Sequence, residues 1–439
     1  MKILVIDTSQ DGVPFAIRAQ ARGHDVRIFQ PPRTTGEAQL AGKGYVNQVR
    51  EWKPSMKWAD LIVMTGNSMY LDDLEPYYEK GFPIIGSNKK AAALELDRAL
   101  GDSALRLVGV DTLPYEVFDT IDEAIAHVYK TGITYVCKAW GGVEDKSLSF
   151  VAKSPADMIF RLQQCKRLGK MKGKLMLQEK VKGVEMAVAA WFGPGGFGQW
   201  KREVFEEKKF MNEGLGQNTG EMGTTIRYVK KSQLFDEVLA PMEDYLHGTG
   251  YAGNVDVNCI IVGNKAWPLE FTMRFGWPGY NIESALHVGD EAERLYDLWD
   301  GKDTLRVREG KIAVGVVMAH GDFPNFKWCP EEVSGHPITG ITPAMEPHIW
   351  PQWVMKKKAP VMKGDKVVEE ETCCTAGHIP FTVTGIGDTV EAAQAECYNR
   401  VWKIDWPSNR MFRTDIGCRL ESGLLKLQAH GYAKGMRYA

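Results

Sequence analysis

The chain has 439 residues, 54 basic against 56 acidic side chains, a formal net charge of −2 and 44% hydrophobic residues. At roughly 100–200 residues per domain this length implies two to four domains, and the composition of an ordinary globular chain excludes disorder. The near-zero charge argues against nucleic-acid binding through bulk electrostatics, and 45 glycines without period or serine enrichment exclude collagen and flexible linkers.

Residues 2–7 form a short apolar run, followed by a helical pattern from Pro14 that closes at Gly23 and a strand-like run from Asp25 to Phe29. Proline at a helix start and glycine just past its end are the expected punctuation. Further strand-like runs, Ala59–Met64 and Pro83–Gly86, flank a helical stretch and predict a parallel α/β domain over residues 1–104. Its first turn lacks G-x-G-x-x-G, so a dinucleotide fingerprint is absent. Residues 105–190 change to shorter strands (Tyr135–Ala139, Lys174–Glu179) around a helix from Pro155 to Leu168. The stretch between Trp191 and Tyr228 is rich in glycine and charge with little periodicity, which predicts a long functional or disordered loop. Two strands, Asn254–Val262 and Lys265–Phe271, follow, joined by Gly263-Asn264 as a tight hairpin. Beyond residue 310 the pattern predicts strands at Ile312–His320 and Phe381–Gly385 and a helix at Thr389–Val401.

None of the eight cysteines is spaced C-x-x-C, which reads as buried, reduced thiols of a cytoplasmic protein. The first apolar run is too short for a signal peptide, and no run of about 18 apolar residues predicts a membrane span.

The hairpin carries most of the chemistry. Asp256 and Asn258 share one face of its first strand, Glu270 and Thr272 the same face of its second, and Arg274 follows at the same alternation. Carboxylates with neutral oxygens suit Mg²⁺ (or Mn²⁺), which keeps waters and bridges to nucleotide phosphates, while an arginine neutralises charge on a transferred phosphoryl group. The plainer reading is a solvated strand face with cross-strand charge pairs. Lys138 ends a strand and leads into Trp140-Gly141-Gly142 and Lys146, where glycines let backbone N–H groups approach an anion beside two lysines. A plain hairpin turn is the alternative. From Leu177 to Glu185 a strand runs into a polar edge whose backbone can read an adenine while Glu185 takes ribose hydroxyls.

Several stretches in this order carry a resemblance: Gly86–Glu95, Gln217–Gly223, Leu269–Pro278, Ala313–Gly321 and Phe412–Gly417. Over essentially its whole length the chain resembles the ATP-grasp ligases, and among them the phosphoribosylamine–glycine ligases. The resemblance implies α/β and α+β architecture: an N-terminal parallel α/β domain (1–104), an ATP lid (105–190), a catalytic ATP-grasp core (191–310) and a C-terminal α+β domain (311–439). It implies transfer of the ATP γ-phosphoryl group to a carboxylate, giving an acyl phosphate that an amine attacks, with Mg²⁺ (or Mn²⁺) and small-molecule substrates in a monomer or homodimer. By the same resemblance Arg98, Lys138, Gly141, Gly142, Lys146, Glu179, Val181 and Glu185 contact ATP. Asp256, Glu270, Asn258 and Thr272 supply metal ligands, and Arg274 and Asn218 act at the acyl phosphate. Thr219, Gly220, Trp277, Pro278 and His378 meet substrate.

Departures from the family cluster on the acceptor side. Asp7–Val13 stands where a Gly-Gly-Arg-Glu-His run is usual, and Thr375–Ile379 where Gly-Gly-Arg is usual. Both lose an arginine expected to hold a phosphate. Arg98 replaces a lysine, Thr272 an asparagine, and Trp140 and Trp277 replace aspartates, so each indole either stacks on a planar ring or packs under a loop. Three functions stay in view: ligation of glycine to 5-phosphoribosylamine, the same chemistry on another amine such as a modified nucleotide or base, and a non-catalytic ATP-binding homologue.

Overall fold

Leu4 to Ile6 and Leu61 to Met64 are buried on both faces of their strands, a pattern that requires a sheet covered on both sides. In the computed structural model, which describes residues 1–9, 11–31, 40–140, 149–170, 173–325 and 330–439, they lie at the centre of a parallel sheet. Strands β1 (Lys2–Ile6), β2 (Asp25–Phe29), β3 (Asn47–Val49), β4 (Leu61–Met64) and β5 (Ile84–Ile85) run in the order β3-β2-β1-β4-β5. Helix Val13–Ala21 begins on its proline, and helix Lys89–Leu96 is capped by Asn88, whose side chain accepts from Ala91 N.

A second, four-stranded sheet follows, formed by β6 (Tyr115–Phe118), β7 (Tyr135–Ala139), β8 (Phe150–Val151) and β9 (Leu175–Glu179) in the order β6-β9-β7-β8. Helix Ile121–Thr131, fixed by a Thr120–Glu123 capping box and stopped at Gly132 in the left-handed region, shares its core with helix Pro155–Arg167.

The largest sheet is antiparallel. It draws on β10 (Val184–Gly193), β11 (Gly196–Glu206), β14 (Gly223–Val229), β15 (Gly253–Val262), β16 (Lys265–Thr272) and β17 (Ile312–Met318), while β12 (Lys209–Met211) and β13 (Leu215–Asn218) form a separate two-stranded ribbon. The C-terminal region adds β18 (Ser334–Pro337), β19 (Ile349–Pro351), β20 (Val354–Lys363), β21 (Lys366–Ala376) and β22 (Phe381–Gly387). Eight of these pair in the order β16-β15-β10-β11-β14-β17-β22-β19, and β18-β21-β20 make a separate small sheet. The large sheet thus takes β10 from the segment assigned to the lid and β17, β19 and β22 from the C-terminal segment, crossing both expected boundaries at 190/191 and 310/311.

The stretch between Trp191 and Tyr228 is not a loop. It holds β11, the β12–β13 ribbon and β14, and its apolar period is hidden because charged residues occupy buried strand positions and are paired there. Arg202 pairs with Glu283, and Arg227 Nε and Nη2 donate to Glu203 Oε2 at 2.9 and 2.6 Å. Glu203 Oε1 also accepts from Ser232 Oγ at 2.9 Å. The hairpin forms as expected, with Asp256 opposite Thr272 and Asn258 opposite Glu270; a register shift then sets Cys259 opposite Pro268. That proline is tolerated because β16 is the edge strand.

Among the described cysteines none is in a disulfide, and five are buried, but Cys418 is exposed and Cys373 partly so; Cys329 lies outside the described residues. No helix among the described residues is long and apolar enough to cross a membrane.

Removing one member of a buried ion pair strands the other charge. Arg227→Met should therefore lower the unfolding free energy by about 3–5 kcal/mol, read as a lower urea midpoint. A wild-type midpoint would mean that Glu203 is solvated in the native state.

Candidate active site

Alternation along β15 and β16 turns Asp256, Thr272 and Arg274 toward a cavity of about 490 Å³. The end of β11 faces them and obeys the same rule. Glu206 and Lys208 line the cavity, while Glu207 points away, 3.4 Å from Arg413 and 2.9 Å from Arg419. Lys208 Nζ lies 3.0 Å from Glu206 and 3.5 Å from Glu270, and Arg98 Nη2 lies 3.5 Å from the other oxygen of Glu270. Asn258 sits behind this wall and donates from Nδ2 to Glu206 at 2.6 Å.

Arg274 is held by a residue from the N-terminal domain. Its Nε donates to Glu95 Oε1 at 3.1 Å, and Glu95 Oε2 accepts from Met273 N and from Asn67 Nδ2, both at 2.7 Å. After Arg274 the chain turns through Gly276 in the left-handed region, φ +74°, a conformation that favours glycine. Trp277 then packs its ring edge on Gly220, where an added Cβ would meet Cζ3 at 3.2 Å. Its other side borders a small space of about 10 Å³ shared with Asp11, Gly12 and Thr65. Trp140 packs on Tyr115, ring centroids 5.0 Å apart, and borders a small pocket that it shares with Lys138, Arg98 and Glu270.

Charge is concentrated here. Burial raises the Asp256 pKa and Glu206 adds to it, with Arg202 and Lys208 opposing. Burial pulls Lys208 down, but Glu206 and Glu270 outweigh it, so the ammonium is held well above its ordinary value. Lys138 is the opposite case: burial, helped by Arg98, lowers it to about 8. It donates to Gln178 Oε1 at 2.8 Å in an adjoining pocket of about 30 Å³ that also contains Arg98, Leu269 and Glu270.

Of the residues singled out in the sequence, the cavity gathers Arg98, Asp256, Glu270, Thr272 and Arg274 on one side and Asn218, Thr219, Gly220 and Trp277 on another. Glu179 ends β9, its N–H bonded to Pro114 O at 3.0 Å, with Val181 just beyond. Glu185 is an exposed residue of β10, 3.9 Å from Arg419. Pro278 and His378 do not line the cavity. Pro278 caps the short helix Gly279–Ser284. His378 is buried in the C-terminal region, 3.1 Å from Asp322 and bonded through its carbonyl to His320 N, because the Thr375–Ile379 turn packs Gly377 against Trp353. Gly141, Gly142 and Lys146 lie outside the described residues.

Five cavity or support residues were not anticipated: Glu95, Arg202, Glu206, Lys208 and Glu221. All but Glu95 fall in the stretch whose strand period was masked by charge. Among the described residues no three His, Cys, Asp or Glu side chains converge to hold a metal unaided. The oxygen-only donors fit a hard cation that takes one or two carboxylates and completes its shell with water and phosphate.

Because the folded Lys138 pKa lies below the unfolded value of 10.5, the side chain loses its proton above about pH 8, and stability rises with pH between the two. An anion bound against it must bring a proton back. Tripolyphosphate affinity should fall as pH rises through about 8, with proton uptake seen by calorimetry in buffers of different ionisation heat, and Lys138→Met should abolish that dependence. Equal affinity on both sides of that pH would remove Lys138 from the anion site.

No family model matches the chain. In sequence it is 24% identical over 360 residues to the phosphoribosylamine–glycine ligase of Lactococcus lactis, covering 79% of this chain and 80% of the relative. It is 26% identical over 445 residues to the enzyme of that name from Allochromatium vinosum, covering 95% and 98%. In structure it matches the phosphoribosylamine–glycine ligase of Thermotoga maritima with a TM-score of 0.70 and 20% identity, over 95% of this chain and 100% of that one. The fold is the ATP-grasp fold.

Proposed function

We propose that this chain is an ATP-dependent ligase that joins glycine to 5-phosphoribosylamine, releasing ADP and phosphate. The observation that carries the reading is the placement of Arg274, clamped by Glu95, in the same cavity as Glu270, Asp256, Arg98 and Lys208. Similarity to enzymes of that name along nearly the whole of both chains supports the choice of substrates.

In the first step a carboxylate oxygen attacks the γ-phosphorus and ADP leaves. In the second, the amine nitrogen attacks the acyl carbon, phosphate departs with the C–O electron pair, and the nitrogen gives up a proton. No side-chain nucleophile is needed, so the protein works by orientation and electrostatics. Lys138 and Arg98 hold the nucleotide phosphates, with Gly141, Gly142 and Lys146 beside them as the resemblance implies. Glu179 and Val181 border the adenine, and Glu185 takes the ribose. Arg274 steadies the transferred phosphoryl group, and the Asn218-Thr219-Gly220 backbone orients the acyl end. Glu270 and Asp256, with Thr272 and Asn258, would hold Mg²⁺, which screens charge on the phosphates when bound.

A second reading keeps the chemistry and changes the amine. It is favoured by what faces Trp277: Asp11 and Gly12 from the N-terminal loop and Thr65 just after β4, with no guanidinium among the described residues that line this space. ADP release separates the readings. Turnover with glycine and phosphoribosylamine supports the first, turnover only with another amine supports the second, and no release with any pair leaves a non-catalytic homologue. Glu270→Gln, near-isosteric, should keep the fold and lose Mg²⁺-dependent turnover by orders of magnitude. Arg274→Lys should cost about 100-fold in kcat, because lysine cannot reproduce the forked contact. Wild-type rates in either variant would take that residue out of the mechanism.

A further inference from the structure

Glu221 has no task in the scheme above, yet its place is tightly defined. Thr219 N donates to Lys208 O at 2.8 Å, Met222 N to Glu207 O at 2.8 Å, and Val317 N to Met222 O at 3.0 Å. These bonds pin the backbone on both sides of Glu221 and so fix the direction in which its side chain leaves the chain. The residue is 4% exposed, and it lines the large cavity. Its Oε1 is buried with no hydrogen-bond partner among the described residues. A buried acceptor left unpaired is costly, and one in a native structure calls for an explanation such as a water, an ion or a functional role.

The surroundings say what kind of partner. After burial itself, the groups that raise the Glu221 pKa are Glu206, Asp256 and Glu207, with Lys208 opposing. That lysine is already shared between Glu206 at 3.0 Å and Glu270 at 3.5 Å. The other cavity cations are each paired with a carboxylate, Arg202 with Glu283, Arg274 with Glu95 and Arg98 with Glu270, although Arg98 Nη1 and Arg202 Nε keep a buried donor with no hydrogen-bond partner among the described residues. An arriving anion would add to this excess of carboxylate, whereas a compact cation with N–H donors would relieve it.

We infer that Glu221 is the contact for a primary ammonium group of a substrate, either the α-ammonium of the amino-acid donor or the amine of the acceptor. The identity of those substrates rests on the ligase reading; the ammonium site itself does not. The two sources share one chemistry and differ in which ligand loses affinity when the carboxylate is neutralised.

Calorimetry on the full chain with two matched pairs tests this. Glycine and glycolate differ only in ammonium against hydroxyl, and so do ethanolamine phosphate and 2-hydroxyethyl phosphate. The wild type should prefer the ammonium member of at least one pair by about tenfold or more, and Glu221→Gln should erase that preference. Discrimination in the first pair identifies the donor, and in the second the acceptor. No preference for either ammonium in the wild type, or a preference that survives Glu221→Gln, overturns the inference. The wild-type comparison stands even if the variant fails to fold, which its thermal melt would show. ADP release is scored separately: ammonium selectivity without it would sink the ligase reading alone, and ADP release without selectivity would sink this inference alone.

Discussion

One carboxylate receives hydrogen bonds from three groups in two distant parts of the chain. Glu95, on helix Lys89–Leu96 of the N-terminal domain, accepts from the Asn67 amide, the Met273 backbone and the Arg274 guanidinium. Charge-assisted bonds of this kind are short and directional, and here they do two things at once. They fasten the N-terminal domain to the end of β16, and they fix the orientation of the guanidinium that faces the cavity. Every proposed catalytic step depends on where that guanidinium points, since a chain without a nucleophile has only geometry and electrostatics with which to lower a barrier.

The rest of the cavity is a balance of charge around that fixed point. Carboxylates at Glu206, Glu221, Asp256 and Glu270 are set against Arg98, Arg202, Lys208 and Arg274 in one concave space. Four acids and four bases sum to zero, but the distribution is uneven, because Arg202 and Arg274 are drawn away by Glu283 and Glu95. The raised pKa values of Asp256 and Glu221 register that unevenness, burial being the larger cause in each. Such a distribution sets a carboxylate wall on one part of the cavity and Arg98 on another, with Lys138 in the adjoining pocket.

The parts of the architecture that follow local rules are legible in the sequence. The Gly263-Asn264 turn and the alternation around it locate the hairpin and its functional face to within a residue or two, and helix Val13–Ala21 is announced by its proline. What escaped depends on distant partners. β11 and β14 look like a loop because Arg202, Glu203 and Arg227 stand where apolar residues are expected, and only folding reveals the groups that neutralise them. Glu206 and Lys208 were hidden with those strands, while Glu221 sits inside the Gln217–Gly223 motif and takes on meaning only from the cavity it lines. Glu95 sits inside a recognisable motif, yet its role needs Arg274, 179 residues further on. The contacts of His378 with Asp322 and His320 likewise depend on a distant partner, the tight packing of Gly377 on Trp353 that turns its segment inward.

The central claim is that a carboxylate is phosphorylated in this cavity before any amine reacts. ATP carrying oxygen-18 in the β–γ bridge tests it most directly, because reversible acyl-phosphate formation lets that oxygen scramble into the non-bridging β positions of recovered ATP. Scrambling that requires glycine, proceeds without an acceptor amine and disappears in Glu270→Gln is the predicted result. Label that stays in the bridge with glycine present, or scrambles without any carboxylate, would contradict it.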